Sequence, residues 1–510
     1  MSALLIGVDA GTSGAKAVVM DRSGKVLAWA GREYPIHTPQ PGWAEQNPRD
    51  WLDAVTHCLR VATKEAGVDP RRVAGIGLAA QMHSLVCLDE RMEPVRPAII
   101  WADQRAGAKA RRLSEQIGAV NLGEWTGNPL AAGFMLASWQ WMKEHEPETL
   151  ARTRWLVTPK TDLCYRLTGS LGAEPSDASA TLLFDPHRGQ WSAPLLERVG
   201  LDASLLPPIV PSHAVAGGLL PEIAAACGLL PGTPVIYGSS DVSAQALGQG
   251  IITPGTVSCT IGTGGQLFAP VNAPVHDPLL RLHLFNHALP NLWHHEAAIL
   301  TAGLCLRWLR DGMWPGQNYA ALAASAAQVQ AAADGLYFLP FLAGERTPWM
   351  DSNLRAGFLG LTLRHGQAHM VRAAMEGVVF ALRQGLDLMQ SLGTPVDRLI
   401  ATGGGTRHPL WLQLQADIFN RTIYVPHQGA ESEVFSTSDA ARGAALLAGI
   451  GTGVYADAEA AIREAVRAPG IGAAPDPERV EVYAKAYEGY VRWAEMVVGK
   501  TETDQRSPGN

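Results

Sequence analysis

A chain of 510 residues is long enough for two or more domains with substantial cores, and 47% hydrophobic against 17% charged side chains excludes a disordered or fibrous protein. The net charge of −7, with no basic cluster, argues against nucleic acid as a partner. Six scattered cysteines (Cys58, Cys87, Cys164, Cys227, Cys259, Cys305) form neither a zinc pattern nor a disulfide framework, which points to a reducing cytoplasm, and no run approaches a membrane span.

The stretch Leu4 to Val19 (LLIGVDAGTSGAKAVV) reads as two strands joined by a loop of small residues, Asp9-Ala10-Gly11-Thr12-Ser13-Gly14. Backbone N–H groups left uncovered by such side chains cradle an anion. A carboxylate where the first strand meets the loop suits a hydrated metal ion held against phosphate, which singles out Asp9. The glycines lead into a strand rather than a helix, so this is neither a Walker loop nor a Rossmann fingerprint.

Lys25 to Tyr34 reads as a third strand, and Asn47-Pro48 opens a helix running to about Glu65 with Trp51, Val55, Leu59 and Ala62 on one face. Val73 to Leu78 is a buried-type strand ending at Gln81-Met82-His83, and Arg96 to Ile100 leads into Trp101-Ala102-Asp103-Gln104-Arg105. Strands alternating with helices predict a largely α/β fold, in which ligands gather where strands end. Met82, His83, Trp101, Asp103 and Arg105 therefore form a candidate polar cluster for a polyhydroxylated ligand. Ser176-Asp177-Ala178-Ser179 reads as a solvated polar loop.

Pro234 to Tyr237 runs into Gly238-Ser239-Ser240-Asp241, followed by a small-residue helix over Ser243 to Gly250. Asp241 closes an apolar strand and precedes a helix that allows close backbone approach, a setting that suits a general base but equally an ordinary turn. Gly255 to Phe268 (GTVSCTIGTGGQLF) repeats the strand, Gly/Thr loop, strand pattern of the N-terminus. Two such hairpins imply a duplicated domain with a nucleotide held between the copies. Further on, Ile299 to Leu309 and Ala320 to Ala333 read as helices, and Leu399 to Thr402 as a strand turning through Gly403-Gly404-Gly405 into a helix over Pro409 to Phe419. Asp439 to Ala448 is another small-residue helix, and Glu478 to Val498 is a terminal amphipathic one.

Taken together, GVDAGTSGAKAVV, GIGLAAQMHSLVCLD, PAIIWADQRA, GERTP, AGFLGLTLRHGQAHMVRAAME and GGGTRHPLWLQLQADI resemble the FGGY carbohydrate kinases, and most closely the xylulokinases among them, over roughly Leu4 to Tyr490. The resemblance implies two ribonuclease-H-like, actin-type α/β domains with the active site in the cleft between them: 1–247, carrying the sugar site, and 248–498, carrying the nucleotide pocket, followed by a disordered tail over 499–510. It implies ATP and Mg²⁺ as cofactors and a small-molecule sugar as substrate, with no membrane partner and a homodimer as the association considered.

By the same resemblance Asp241 matches the catalytic base and Asp9 the carboxylate that organises Mg²⁺. Gly11, Thr12, Ser13 and Lys16 match the first phosphate loop, Gly262 and Thr263 the second, and Gly303, Gly404 and Gly405 the nucleotide pocket. Met82 and His83 occupy positions that favour a pentulose, and Trp101 and Asp103 look like further sugar-site residues.

Two departures stand out. Val242 follows the base where xylulokinases commonly carry Asn or Gln, which bears on the sugar's identity; Ser436-Thr437-Ser438-Asp439 replaces a Glu-Gly-rich helix entry. The implied reaction is phosphorylation of D-xylulose to D-xylulose 5-phosphate. A kinase for another ketose or polyol, such as D-ribulose or L-xylulose, and an actin-like ATP-binding protein without sugar turnover are the alternatives.

Overall fold

In the computed structural model, which describes residues 3–426 and 439–506, the duplicated hairpins seed two sheets of the same plan. The first contains β1 (Leu4–Ala10), β2 (Gly14–Asp21), β3 (Val26–Glu33), β4 (Val73–Ala80), β5 (Val215–Gly218), β6 (Pro234–Ile236) and β7 (Ser239–Ser240), in the order β5-β6-β4-β1-β2-β3, with β7 beside the end of β4. The second contains β8 (Gly255–Ile261), β9 (Gly265–Val271), β10 (His283–Asn286), β11 (Trp293–Ile299), β12 (Val396–Thr402), β13 (Ile423–Val425) and β14 (Gly470–Ala473), ordered β10-β11-β9-β8-β12-β13-β14.

Each sheet has three antiparallel neighbours (β1-β2-β3 in the first, β8-β9-β11 in the second), a strand parallel to the first of them on its other side, and a further strand parallel to that one; in the second sheet β10 adds an edge beyond β11. The two-domain α/β expectation therefore holds at the level of strand order.

Parallel strands need cover on both faces, and β1 is buried along almost its whole length. One face is covered by the Pro48–Glu65 helix, whose Asn47 side chain accepts from the Arg49 N–H at its start and whose Trp51, Val55, Leu59 and Ala62 are all buried. The opposite face is covered from far along the chain by the Asp439–Gly451 helix. A Cβ on Gly7 would run into the Ala441 carbonyl oxygen, and one on Gly77 into that of Ala444. The same helix lies against the Asp241–Gly248 helix, where Gly443 meets the Ala244 carbonyl and Gly248 that of Asp439. The small residues of both helices thus serve helix–helix and helix–sheet contact.

The Ala458–Ala465 helix stays on the first sheet too, with Leu5, Met20, Ala461 and Ala465 in one apolar cluster, before β14 returns to the second. A single boundary at 247/248 therefore does not divide the molecule in space: residues 439–466 complete the N-terminal sheet.

Other expectations shift. The helix over 320–333 stops at Ala326, because alanine propensity yields to tertiary pairing: Glu376 accepts the Ala332 N–H at 3.1 Å, and Ala332, Ala333 and Asp334 turn left-handed. Ile299 ends β11, and the helix expected to begin there starts at Gly303. The terminal helix continues to Arg506, so 499–506 is helical rather than a disordered tail; no proline interrupts it before Pro508. Residues 507–510, and Ser436 to Ser438 of the altered helix entry, lie outside the described residues. All six cysteines are buried free thiols, and among the described residues no helix is long and apolar enough to cross a membrane.

Candidate active site

Three neighbouring parallel strands deliver the polar groups. Asp9 of β1 registers with Ala79 of β4, which registers with Ser239 of β7. Past these strand ends come Met82 and His83 on one strand and Asp241 on the next, the place where α/β sheets bind ligands.

Asp9 Oδ1 is buried without a hydrogen-bond partner among the described residues. Burial pushes its carboxyl up to about 6, against the pull of Lys16 directly across the hairpin. Asp241 is driven well above the usual carboxylate range, chiefly by burial and then by the charge of Asp9, with Asp177 and Glu296 adding to it; its Oδ1 accepts the Val242 N–H at 2.9 Å. Tyr34, whose hydroxyl donates to the Gly11 carbonyl, feels both Asp9 and Asp241.

The expected sugar-site residues separate into two groups. His83, in the left-handed region at φ 70°, holds its Nδ1 2.7 Å from the Ala180 carbonyl. Nδ1 therefore carries the proton and Nε2 the lone pair. Burial lowers the pKa of His83 to about 4 and keeps the ring neutral. Phe134 packs edge-on at 4.4 Å and Phe285 lies at 5.7 Å, while buried Met82 belongs to the same apolar wall. Val242 adds to that wall and also touches the Phe268 cluster of the second sheet.

Asp103 is a correction. It is 1% exposed, and its oxygens are taken by the Ala44 N–H at 2.6 Å and by the Arg105 guanidinium at 2.8–3.0 Å. Arg105 in turn pairs with Glu45 and lies over the Trp43 ring. That pair braces the fold and offers nothing to a sugar. Trp101 sits at the site's edge, its indole N–H donating to the Thr12 hydroxyl at 2.7 Å.

The glycine positions of the second half converge. Gly303 N–H donates to the Gly262 carbonyl at 2.8 Å, and Ala302 and Leu304 N–H groups donate to the Thr263 carbonyl. A Cβ on Gly403 or Gly405 would meet Ile261, immediately before Gly262. Bare backbone from Gly262, Thr263, Gly303, Gly404 and Gly405 is therefore gathered at one corner of the second half. In the first loop Gly11 N–H donates to the Gly14 carbonyl, and Thr12 C=O accepts from Gln46 at 2.7 Å, which leaves Ser13 exposed at the tip.

Several site residues carried no sequence signal of their own. Asp177, expected in a solvated loop, is buried in the Pro175–Ser179 helix beside Lys160. Glu296 on β11 and Arg346 of the Glu345-Arg346-Thr347-Pro348 turn bring an acid and a guanidinium from the second half; Arg346 acts electrostatically on His83, His283 and Glu296. Only their placement in the GERTP block could have flagged Arg346.

A model of the FGGY family of carbohydrate kinases, N-terminal domain, matches residues 4–248, and its C-terminal counterpart matches 257–452. The chain belongs to the FGGY family. It is 34% identical to a xylulose kinase of Bacillus subtilis over 95% of both chains. Among solved structures, a xylulose kinase from Rhodospirillum rubrum is similar at TM-score 0.89 and 30% identity, covering 97% of this chain and 99% of that one. A gluconate kinase from Lactobacillus acidophilus is similar at TM-score 0.91 and 26% identity, covering 98% and 99%. As an FGGY member the chain is a sugar kinase, phosphorylating a sugar at the expense of ATP.

Proposed function

We propose that this kinase phosphorylates D-xylulose to D-xylulose 5-phosphate, with Asp241 as general base. The observation that carries the proposal is the convergence of Asp9, Asp241 and neutral His83 at three adjacent strand ends. Xylulose kinases among the relatives support the substrate.

Phosphoryl transfer relies on positioning and charge neutralisation. The His83 Nε2 lone pair accepts from a sugar hydroxyl, and the Met82, Phe134 and Phe285 wall excludes water from the carbon chain. Asp241, raised in basicity by burial and by its carboxylate neighbours, accepts the proton of the terminal hydroxyl as the P–O bond forms. The first loop and the glycine corner around Gly262 hold the nucleotide's phosphates.

The donor set fits Mg²⁺. Asp9 presents an unpartnered buried oxygen, the nearby acids are all hard oxygen donors, and Mg²⁺ typically takes one or two carboxylates together with substrate phosphates and water. Asp9 would hold the ion, with Asp241 nearby, and the bound ion neutralises phosphate charge.

Val242 favours one second reading. An apolar side chain packed between two clusters, where xylulokinases commonly place an amide, suits a kinase for another ketose. A panel of D-xylulose, D-ribulose, L-xylulose, D-gluconate and glycerol, assayed for sugar-dependent ADP release, tests both. Highest kcat/KM for D-xylulose supports the first reading, and preference for a different ketose the second.

A further inference from the structure

Behind Asp241 lies a buried ionic network that the reaction does not consume. Lys160, 0% exposed, reaches Glu174 Oε1 at 3.4 Å and Asp177 Oδ2 at 3.8 Å, and donates to the Tyr237 carbonyl at 3.3 Å. Glu174 accepts from Ser176 Oγ at 2.8 Å and from Ser212 Oγ at 2.6 Å. Ser176 Oγ in turn accepts the Ser240 N–H at 2.9 Å. Asp177 is further held by the Thr158 hydroxyl.

The segment Tyr237 to Asp241 is thus gripped at both ends. Lys160 holds the carbonyl of Tyr237 directly, and through Glu174 and Ser176 it holds the N–H of the residue just before Asp241. Between the grips Gly238 turns at φ 83°, its backbone pressed so close to the Leu78 carbonyl that no Cβ fits. A buried lysine shared by two carboxylates is an expensive arrangement whose removal leaves uncompensated charge. Its complete burial among these partners points to geometry rather than to ligand binding.

Resting on the reading of Asp241 as base, we propose that Lys160 is a positioning residue: it sets the Tyr237–Asp241 turn, through the Glu174–Ser176 relay, so that the Asp241 carboxylate meets the acceptor hydroxyl. A displacement of about 1 Å at a reacting group costs on the order of 10²-fold in rate, so the network's effect belongs in kcat and not in sugar affinity.

The test uses the full-length enzyme with D-xylulose and MgATP. Ser176→Ala removes one uncharged link and leaves the charge of the core unchanged; kcat is expected to fall about three- to tenfold, with KM for both substrates within about twofold. Lys160→Met should lower kcat by about 10²-fold, and Lys160→Arg, which keeps the cation, should recover part of it. If Lys160→Met does not fold, the charge-balanced Lys160→Met/Glu174→Gln pair and Ser176→Ala decide. The deciding measurement is a double-mutant cycle with Asp241→Asn. A residue that acts through Asp241 loses its effect on kcat once the base is gone.

Additive losses, or full kcat in folded Ser176→Ala and in the folded Lys160 variant, overturn the proposal. A different failure, wild-type kcat in Asp241→Asn itself, overturns the base assignment and is seen independently of the Lys160 variants.

Discussion

Trp101 donates its indole N–H to the hydroxyl of Thr12 at 2.7 Å, joining the edge of the proposed sugar site to the proposed first phosphate loop. The loop's other contacts include Gly11 N–H to the Gly14 carbonyl, Gln46 to the Thr12 carbonyl, the Tyr34 hydroxyl to the Gly11 carbonyl and the Tyr34 N–H to the Ser13 carbonyl. Trp101→Phe keeps the ring and deletes the donor. A hydrogen bond of about 0.5–1.5 kcal/mol should appear as a rise in KM for ATP of about two- to twelvefold, measured by steady-state kinetics. An unchanged KM for ATP would show that the loop holds phosphate without Trp101.

Asp241→Asn keeps shape and hydrogen bonding but cannot take a proton. General-base catalysis is worth about 10²–10⁴ in rate, so kcat should fall by that order while the KM for sugar changes little. Asp9→Asn should differ, raising the Mg²⁺ concentration needed for half-maximal rate as well as lowering the rate. Kinetics across a Mg²⁺ series, with folding followed by thermal melts, separates the two; matching Mg²⁺ profiles would reject the distinct role of Asp9.

The buried imidazoles contribute a stability term that is lost in acid. His83 and His287 are lowered from 6.5 to about 4, and His283 and His294 fall well below 6.5, in each case mainly through burial. Their folded pKa values lie below the unfolded one, so between about pH 6.5 and 4 the unfolded chain binds more protons and stability falls as pH falls. Each group that drops to about 4 removes up to roughly 3 kcal/mol by pH 4. The Tm difference between the wild type and His287→Phe should be constant above pH 7 and shift against the wild type as pH falls below about 6, the buried carboxyls of Asp9 and Asp241, whose raised pKa values act in the opposite sense, being common to both proteins. A Tm difference independent of pH between 7 and 5 would contradict it.

Gly443 packs on the Ala244 carbonyl, one turn into the helix that Asp241 begins. Gly443→Ala forces the two backbones apart at a typical overpacking cost of about 1–3 kcal/mol. Denaturant melts should show that loss, and kcat should drop with it because the displaced helix carries Asp241. Full stability would mean that the helices separate without strain.

The parts of the molecule that local chemistry specifies were legible in the sequence. Asn47-Pro48 and the Trp51, Val55, Leu59, Ala62 stripe mark one helix to its ends, and the two Gly/Thr hairpins announce the duplicated sheets. The remaining features depend on partners distant in sequence. Ser176 to Ser179 has the composition of a solvated turn, and partners arriving from elsewhere make it interior: Lys160 and Thr158 on Asp177, Ser240 on Ser176 and Asn286 on Ser179. Asp103 follows a strand end as a ligand-binding acid would, but a guanidinium two residues on closes over it. The small residues of the helix after Asp241 signal close backbone approach without saying of what; the partner is the Asp439–Gly451 helix, which packs against the first sheet as well.

The return of residues 439–466 to the first sheet has a consequence for how the protein is made. Synthesis delivers β1 and β4 well before their cover, and the face that bears Gly7 and Gly77 stays bare until the Asp439–Gly451 helix leaves the ribosome. The N-terminal lobe cannot finish folding as an autonomous unit in the usual N-to-C order. Its completion is bound to that of the whole polypeptide, and a truncated product would present an open apolar sheet to the quality-control machinery.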